Sequence, residues 1–344
     1  MRPRGDGPPP LVSVSLVTYN GARWLDGCLA SLFAQTHPNF EVVILDNGST
    51  DGTRERLAAA VEGRPRTRLI LSPENLGYAR AHNRVIAASA GEFVCLLNQD
   101  IVLDPGFLEA AVADFDAPRV GSVQGRLRWL SPELERTDLI DSTGLVINRN
   151  RRITSRGQGK ADGPANDRPG LLFGVDGACP VYRRSALEDV RIVDEGVTEY
   201  LDEDFFMYKE DVDLAWRLLL RGWDAAYQPR AVAWHARGAG ESSATTAWDV
   251  VRHRRRIPAR VKRLSWRNQR LMQVKNEDGS LFLRDLHRVI GRELAAFAYL
   301  AVSNPANLRA VAELLRMLPA ARRKRRQVQR LRRISRSDLA SWFA

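Results

Sequence analysis

Three short segments bring together residue types that do chemistry. Asn98-Gln99-Asp100 closes an apolar run, and Glu210-Asp211-Val212-Asp213 sets three acids within four positions. His235 follows Ala231-Val232-Ala233-Trp234 and precedes Arg237-Gly238-Ala239-Gly240. A carboxylate in a turn after a buried strand suits a divalent cation, and such a cation neutralises a nucleotide diphosphate. Two readings of Asp100 stay open, a turn cap and a cation ligand. Acids on a first helical turn complement the helix dipole. Here Asp202, Glu203 and Asp204 lie just upstream, and carboxylates packed this densely repel. That favours a cation or a proton-transfer role. His235 is either a structural imidazole or a metal ligand.

A fourth segment, Asn75-Leu76-Gly77-Tyr78-Ala79-Arg80-Ala81-His82-Asn83, opens a helix. Asn75 can cap it, Gly77 permits close approach of the backbone to a ligand, and Arg80 can meet a phosphate. A plain cap accounts for Asn75 but leaves Arg80 and Asn83 on one helix face without a task. No G-x-G-x-x-G or Walker A pattern is present, so the glycine fingerprint of NAD or P-loop chemistry is missing.

The elements that must position these residues alternate. Leu11–Val17, Phe40–Leu45, Arg68–Leu71 and Glu92–Leu97 read as buried strands. Ala22–Gln35, Thr50–Val61, Tyr78–Ser89 and Pro105–Phe115 read as helices. This order predicts an α/β fold with a mostly parallel, doubly wound sheet. Such sheets bind ligands at the carboxyl ends of their strands. Thr18-Tyr19-Asn20, Asp46-Asn47-Gly48-Ser49 and Asn98-Gln99-Asp100 all fall there. Beyond residue 120 the spacing predicts strands over Val120–Leu130, Leu139–Thr154 and Gly177–Arg183, and a mobile loop over Arg156–Gly170. It predicts a helix over Met207–Arg221 and two short strands, Ala225–Tyr227 and Ala231–Trp234. From Trp248 the chain reads as helical and basic.

The charge is unevenly placed. The 344 residues carry a net +11, but Val251 to the end holds 24 basic and 6 acidic residues, +18, and the rest 28 and 35, −7. An acidic body with a basic appendage argues against a uniformly basic nucleic-acid binder. Cys28, Cys95 and Cys179 lie far apart with no C-x-x-C pair, which reads as reduced thiols. Residues 1–10 read as a disordered leader with no apolar run of a signal peptide. No segment reaches the ~18 apolar residues of a membrane span. Arg284, Arg288 and Arg292 against Leu286, Val289, Ile290, Leu294 and Phe297, with Arg322-Arg323-Lys324-Arg325-Arg326 beyond, suit an anionic membrane surface; a solvated helical cap is the alternative.

Six segments, VSVSLVTYNGARWL, FEVVILDNGSTDGT, ENLGYARAHN, GEFVCLLNQDIVLDPGFL, DGACPVYRRSAL and FFMYKEDVDLAWRLLLRGW, together resemble the inverting family 2 glycosyltransferases of GT-A fold. The resemblance covers roughly residues 11–240 and is closest to the bacterial rhamnosyltransferase-like branch. It implies a GT-A domain over 11–245, with a nucleotide-binding half (11–120) and an acceptor-binding half (121–245), then a basic helical region over 246–344. It implies that Thr18, Tyr19, Asn20 and Asp46 hold the donor's base and ribose. Asn75, Gly77, Arg80 and Asn83 would flank its phosphates, beside Asn98, Gln99 and Asp100. Asp100 stands in the metal motif, where the first acid is replaced by Asn98, and His235 would complete the shell of a Mg²⁺ or Mn²⁺ ion. Asp211 matches the base, and Asp176, Gly177, Ala178, Glu210 and Trp216 would face the acceptor. The implied partners are a nucleotide-sugar donor, a lipid-linked or polysaccharide acceptor, an anionic membrane surface and, optionally, a second copy of the chain. Nucleic acid is not among them. The implied place is cytoplasmic, on the inner face of the cell membrane.

Overall fold

The computed structural model describes residues 7–237, 258–303 and 305–344. The expected basic residues between Trp248 and Arg256, and Gly238 and Gly240 after His235, lie outside them. The first half alternates as expected: β1 (Val12–Thr18), α1 (Ala22–Phe33), β2 (Phe40–Asp46), α2 (Thr53–Val61), β3 (Thr67–Leu71), α3 (Gly77–Ala87) and β4 (Phe93–Asn98). Then come β5 (Ile101–Leu103), α4 (Phe107–Ala113), β6 (Val120–Leu130), β7 (Arg136–Ser142), β8 (Leu145–Ile147), β9 (Ile153–Ser155), β10 (Gly170–Leu172) and β11 (Val181–Arg183). They are followed by α5 (Arg184–Val190), β12 (Ile192–Asp194), β13 (Val197–Glu199), α6 (Glu210–Arg221) and β14 (Asp224–His235). Among the described residues, five helices follow: α7 (Ala259–Asn276), α8 (Gly279–Arg284), α9 (Leu286–Ser303), α10 (Arg309–Arg330) and α11 (Arg336–Ser341).

The central sheet runs β10-β14-β6-β11-β4-β1-β2-β3. Strands β3, β2, β1 and β4 are parallel, as are β6 and β14; β11 lies antiparallel between β4 and β6. Both faces are covered, which explains the near-continuous apolar runs. Val42 and Ile44 of β2 pack with α1 and α2, whereas Val43 and Leu45 pack with α3. The register sets Thr18 beside Asp46 and Val17 beside Asn98, so the polar strand ends meet at one edge.

Several expected elements differ. The two short strands before His235 are one strand, β14, with its register against β6 shifted between Gln228 and Val232. Pro229 lacks the N–H that the ladder needs, and a bulge absorbs it. The helix expected from Met207 starts at Glu210, because Phe206, Tyr208 and Lys209 have φ of 63°, 73° and 76°. Leader residues Pro9 and Pro10 are held: their carbonyls accept from Asn39 Nδ2 and the His37 ring. The loop expected to be mobile is tied to the sheet, with Asp162 taking Arg126 and Arg128 of β6, and Asp167 taking Arg126.

The basic C-terminal region is not a free appendage. Leu271, Met272, Ala321, Val328 and Phe343 share a core with Val212, Ala215 and Trp216 of α6. Lys324, buried in α10, meets Glu199 at 2.8 Å, Asp202 at 2.5 Å and Asp204 at 3.0 Å. Lys275 of α7 pairs with Asp202 and, at 2.8 Å, with Asp213. Two of the tail's cations, Lys275 and Lys324, therefore neutralise the acids just before and within α6. No described helix is long and apolar enough to cross a membrane.

Candidate active site

The polar edge of the sheet is built by side chains that bond to backbone groups of the neighbouring turns. Gln99 accepts from Tyr19 N (2.9 Å) and donates to Tyr19 O (3.0 Å), fastening the β4 turn to the end of β1. Asn20, left-handed at φ 47°, accepts from Thr50 N at 2.8 Å. Asp46 is fully buried and accepts from Ser49 N (3.1 Å) and Arg54 Nε (2.7 Å). The Tyr19 ring stands 45% exposed at this edge, an open face for stacking. Asn47, not singled out in the sequence, accepts from Leu76 N (2.7 Å) and donates to Asn75 (3.2 Å).

The α3 segment differs from its expected role. Asn83 is buried and spends all its polar atoms on the chain itself: Nδ2 donates to Leu201 O and Glu203, and Oδ1 accepts from Tyr200 N and Leu201 N. It clamps that loop and has no capacity left for a phosphate. Gly77 is needed, at φ 79°, because a β-carbon would collide with Phe206 O. Its close neighbour is protein rather than ligand. Arg80 remains half-exposed, 3.5 Å from Glu203.

His235 ends β14 with Nε2 3.5 Å from Asp100 Oδ1 and Nδ1 2.9 Å from Asp141 Oδ2. Asp141, fully buried on β7, escaped the sequence reading; its one signal is an acid inside the apolar stretch Leu139-Ile140-Asp141. Burial opposes a charge on His235, but Asp100 and Asp141 outweigh it and push the imidazole up to about 10. An imidazole oriented by a carboxylate, facing a second carboxylate, fits a divalent cation that takes further oxygens from a diphosphate and water. Among the described residues no group of three or more His, Cys, Asp or Glu could hold a metal ion unaided.

From this pair a chain of contacts runs to the acids of α6. Asp141 also takes Arg237, whose guanidinium lies 3.8 Å from Asp176. Asp176 accepts from Ala178 N at 3.1 Å, and Ala178 O accepts from Asn98 N at 2.9 Å. Gly177 N donates to Asp211 Oδ2 at 3.2 Å, while Asp211 Oδ1 takes Val212 N at 2.8 Å. Gly177 allows that approach, since a β-carbon there would sit 3.2 Å from the Asp211 Cβ. Tyr78 donates to Gly177 O at 2.6 Å, joining α3 to this loop.

The three acids of α6 diverge. Asp213 turns inward to Arg217 (2.9 Å), Lys275 and Asn276. Asp211 is pushed up from 3.8 to about 6 by burial and then by Asp176. Glu210, buried with Oε2 unpartnered among the described residues, is pushed up to about 8 by burial and then by Asp211. Two neighbouring carboxyls with separated titrations can hold one proton and accept another at neutral pH. Trp216 does not face the acceptor. It is fully buried between Phe173 and Phe343, at ring distances of 6.2 and 5.9 Å. Four positions after Val212 along α6, it falls on the core stripe.

The protein is a glycosyltransferase of GT-A architecture. The family profile described as Glycosyl transferase family 2 matches residues 13–191, and the chain belongs to that family. It is 34% identical over 247 residues to the N-acetylglucosaminyl-diphospho-decaprenol L-rhamnosyltransferase of Mycobacterium tuberculosis, covering 65% of this chain and 76% of that protein. It is 27% identical over 228 residues to the poly-beta-1,6-N-acetyl-D-glucosamine synthase of Staphylococcus epidermidis, covering 65% of this chain and 49% of the relative. Among solved structures, GalNAc-T7 with UDP, GalNAc and Mn²⁺ aligns at TM-score 0.58 and 13% identity, over 77% of this chain and 48% of that one. The mannosyltransferase PcManGT of Pyrobaculum calidifontis, with GDP-Man and Mn²⁺, aligns at 0.52 and 19% identity, over 97% and 87%. At these identities the two structures speak to the fold alone.

Proposed function

We propose that the chain transfers L-rhamnose from dTDP-rhamnose, with inversion, to a hydroxyl of a lipid-linked or polysaccharide acceptor in cell-envelope glycan synthesis. The observation that carries the reaction is the contact chain from Asp100 through His235, Asp141, Arg237 and Asp176 to the loop that holds Asp211. The mycobacterial rhamnosyltransferase relative supports the sugar. Thr18, Tyr19, Asn20 and Asp46 line the base and ribose side. Asp100 and His235 would hold Mg²⁺ or Mn²⁺, which supplies positive charge to the leaving diphosphate. Arg80, half-exposed, adds its own. Asp211 takes the proton of the attacking hydroxyl, while Glu210, held neutral, donates a hydrogen bond to the acceptor. One base and no enzyme nucleophile give a single displacement and an inverted anomeric centre.

The rival donors are UDP-galactofuranose and UDP-hexoses. A thermal-shift panel of these sugars and dTDP-rhamnose, each with Mn²⁺, separates them, since a ligand at 100 times its Kd stabilises by about 2.7 kcal/mol. The largest shift is expected with dTDP-rhamnose; a larger one with a UDP sugar overturns the assignment.

A lipid-linked acceptor would be met at a membrane surface, and the chain would lie peripherally on the inner face of the cell membrane. Ile290, Leu294 and Phe297 of α9, with Leu283 of α8, form an exposed apolar stripe, Leu294 being 65% exposed, with Arg284 and Arg288 beside it. That combination suits anionic lipid. The chain should float with anionic vesicles more than with neutral ones, and Leu294→Asp should abolish the difference. Equal flotation on both defeats this reading.

A further inference from the structure

Helix α7 reaches the active site from behind. The side-chain amide of its Asn268, fully buried, lies within hydrogen-bond distance of three backbone carbonyls, Phe205 O (2.9 Å), Met207 O (2.9 Å) and Tyr208 O (2.8 Å), which share its two N–H donors. Arg267 adds a bond to Asp204 O at 3.1 Å. The gripped segment is the loop immediately before Glu210 and Asp211. Phe206, Tyr208 and Lys209 are all left-handed there, at φ 63°, 73° and 76°, and none is glycine. Side chains with a β-carbon rarely adopt this backbone, and it persists where surrounding contacts enforce it.

The loop is a junction of three helices. Phe206 O accepts from Tyr78 N (2.6 Å) and Ala79 N (3.3 Å), in the first turn of α3. Lys209 O accepts from Asp213 N at 2.9 Å, the bond that starts α6. If Lys209 relaxed to an ordinary conformation, the first turn of α6 would rotate and carry Asp211 away from Gly177.

We propose that Asn268 is a positioning residue for catalysis: through three carbonyls it holds the strained 205–209 loop, and so aims Asp211 at the acceptor hydroxyl. This rests on Asp211 being the base. It makes the C-terminal region part of the catalytic apparatus, although the family profile ends at residue 191.

The test uses the full chain, dTDP-rhamnose, Mn²⁺ and a polyprenyl-diphospho-N-acetylglucosamine as acceptor, below each variant's melting midpoint, with the folded fraction measured by circular dichroism. Asn268→Ala should lower kcat of the folded protein by about tenfold or more, as small misplacements of reacting groups do. It should leave the KM for the donor within about twofold and shift the acid limb of the kcat–pH profile. Tyr208→Gly in the Asn268→Ala background should recover much of the loss, because glycine adopts positive φ without a steric cost. A folded Asn268→Ala variant with wild-type kcat and an unmoved acid limb overturns the proposal, as does a loss that Tyr208→Gly leaves untouched. If Asn268→Ala does not fold, Asn268→Ser, which keeps one donor, is read by the same criteria. Asp211→Asn is the parallel control: its retained turnover would remove the base itself, a failure distinct from that of Asn268.

Discussion

Replacing Asp211 by Asn separates catalysis from binding and from stability in one variant. The carboxylate accepts Gly177 N at 3.2 Å and Val212 N at 2.8 Å. The amide oxygen can keep one of these bonds, so the local loss is about 1 kcal/mol. Against it stands the cost of an ionised Asp211 in the fold. Its pKa rises from 3.8 to about 6 on folding. At about 1.4 kcal/mol per pK unit, the ionised group destabilises the protein by up to about 3 kcal/mol above pH 6, and by nothing below about pH 4. Asp211→Asn removes that cost, so the variant should be more stable than the parent by up to about 2 kcal/mol at pH 8. The gain should vanish near pH 4. Urea unfolding at the two pH values measures it. Turnover should fall by about 100- to 10,000-fold, the range for loss of a general base. Donor binding, followed by calorimetry with dTDP and Mn²⁺, should stay within about twofold. With the group raised to about 6 removed, residual activity should lack the acid limb near pH 6 expected of the parent. Turnover within tenfold of the parent at pH 7 would refute the base assignment. Unchanged stability at pH 8 would refute the buried-charge account.

Excess EDTA should stop transfer and Mg²⁺ or Mn²⁺ should restore it; Asp141→Asn, which takes the carboxylate charge away from His235 Nδ1, should raise the Mn²⁺ needed for half-maximal rate by about 10- to 100-fold. Full activity in EDTA would remove the cation. Trp216→Ala should cost about 3–5 kcal/mol in urea unfolding while leaving the acceptor KM of the folded enzyme unchanged; a raised KM would return Trp216 to the acceptor site. Lys324→Met should cost about 3–5 kcal/mol, because Glu199, Asp202 and Asp204 lose a shared buried cation. A neutral result would mean these acids are solvated.

The strand ends were legible because a β-α-β alternation leaves little choice. Parallel strands joined by covering helices must bring their carboxyl ends to one edge, so Thr18, Asp46 and Asn98 meet whatever the rest of the chain does. Motif spacing also placed Asp100, His235 and Asp211 at the ends of β4, β14 and the start of α6. Trp216 was misread for the opposite reason: a residue four places from a core position on a helix follows the core, and only packing against Phe173 and Phe343 showed which stripe that was.

The features legible in the chain are local and periodic: the parallel sheet, the polar strand ends, and a family whose profile ends at residue 191. The fate of each charge was not local. Lys324 and Asp202 are separated by 122 positions, Asp141 and His235 by 94, and Asn268 and Met207 by 61. Composition could count an acidic body and a basic tail, but it could not say which acids the tail neutralises. The fold pairs Asp202, Asp204 and Asp213 with Lys275 and Lys324, and among the described residues it leaves Glu210 and Asp211 with no ion pair. The reason is physical: a carboxyl's ionisation depends on burial and on charges within a few ångströms, and the fold alone sets both.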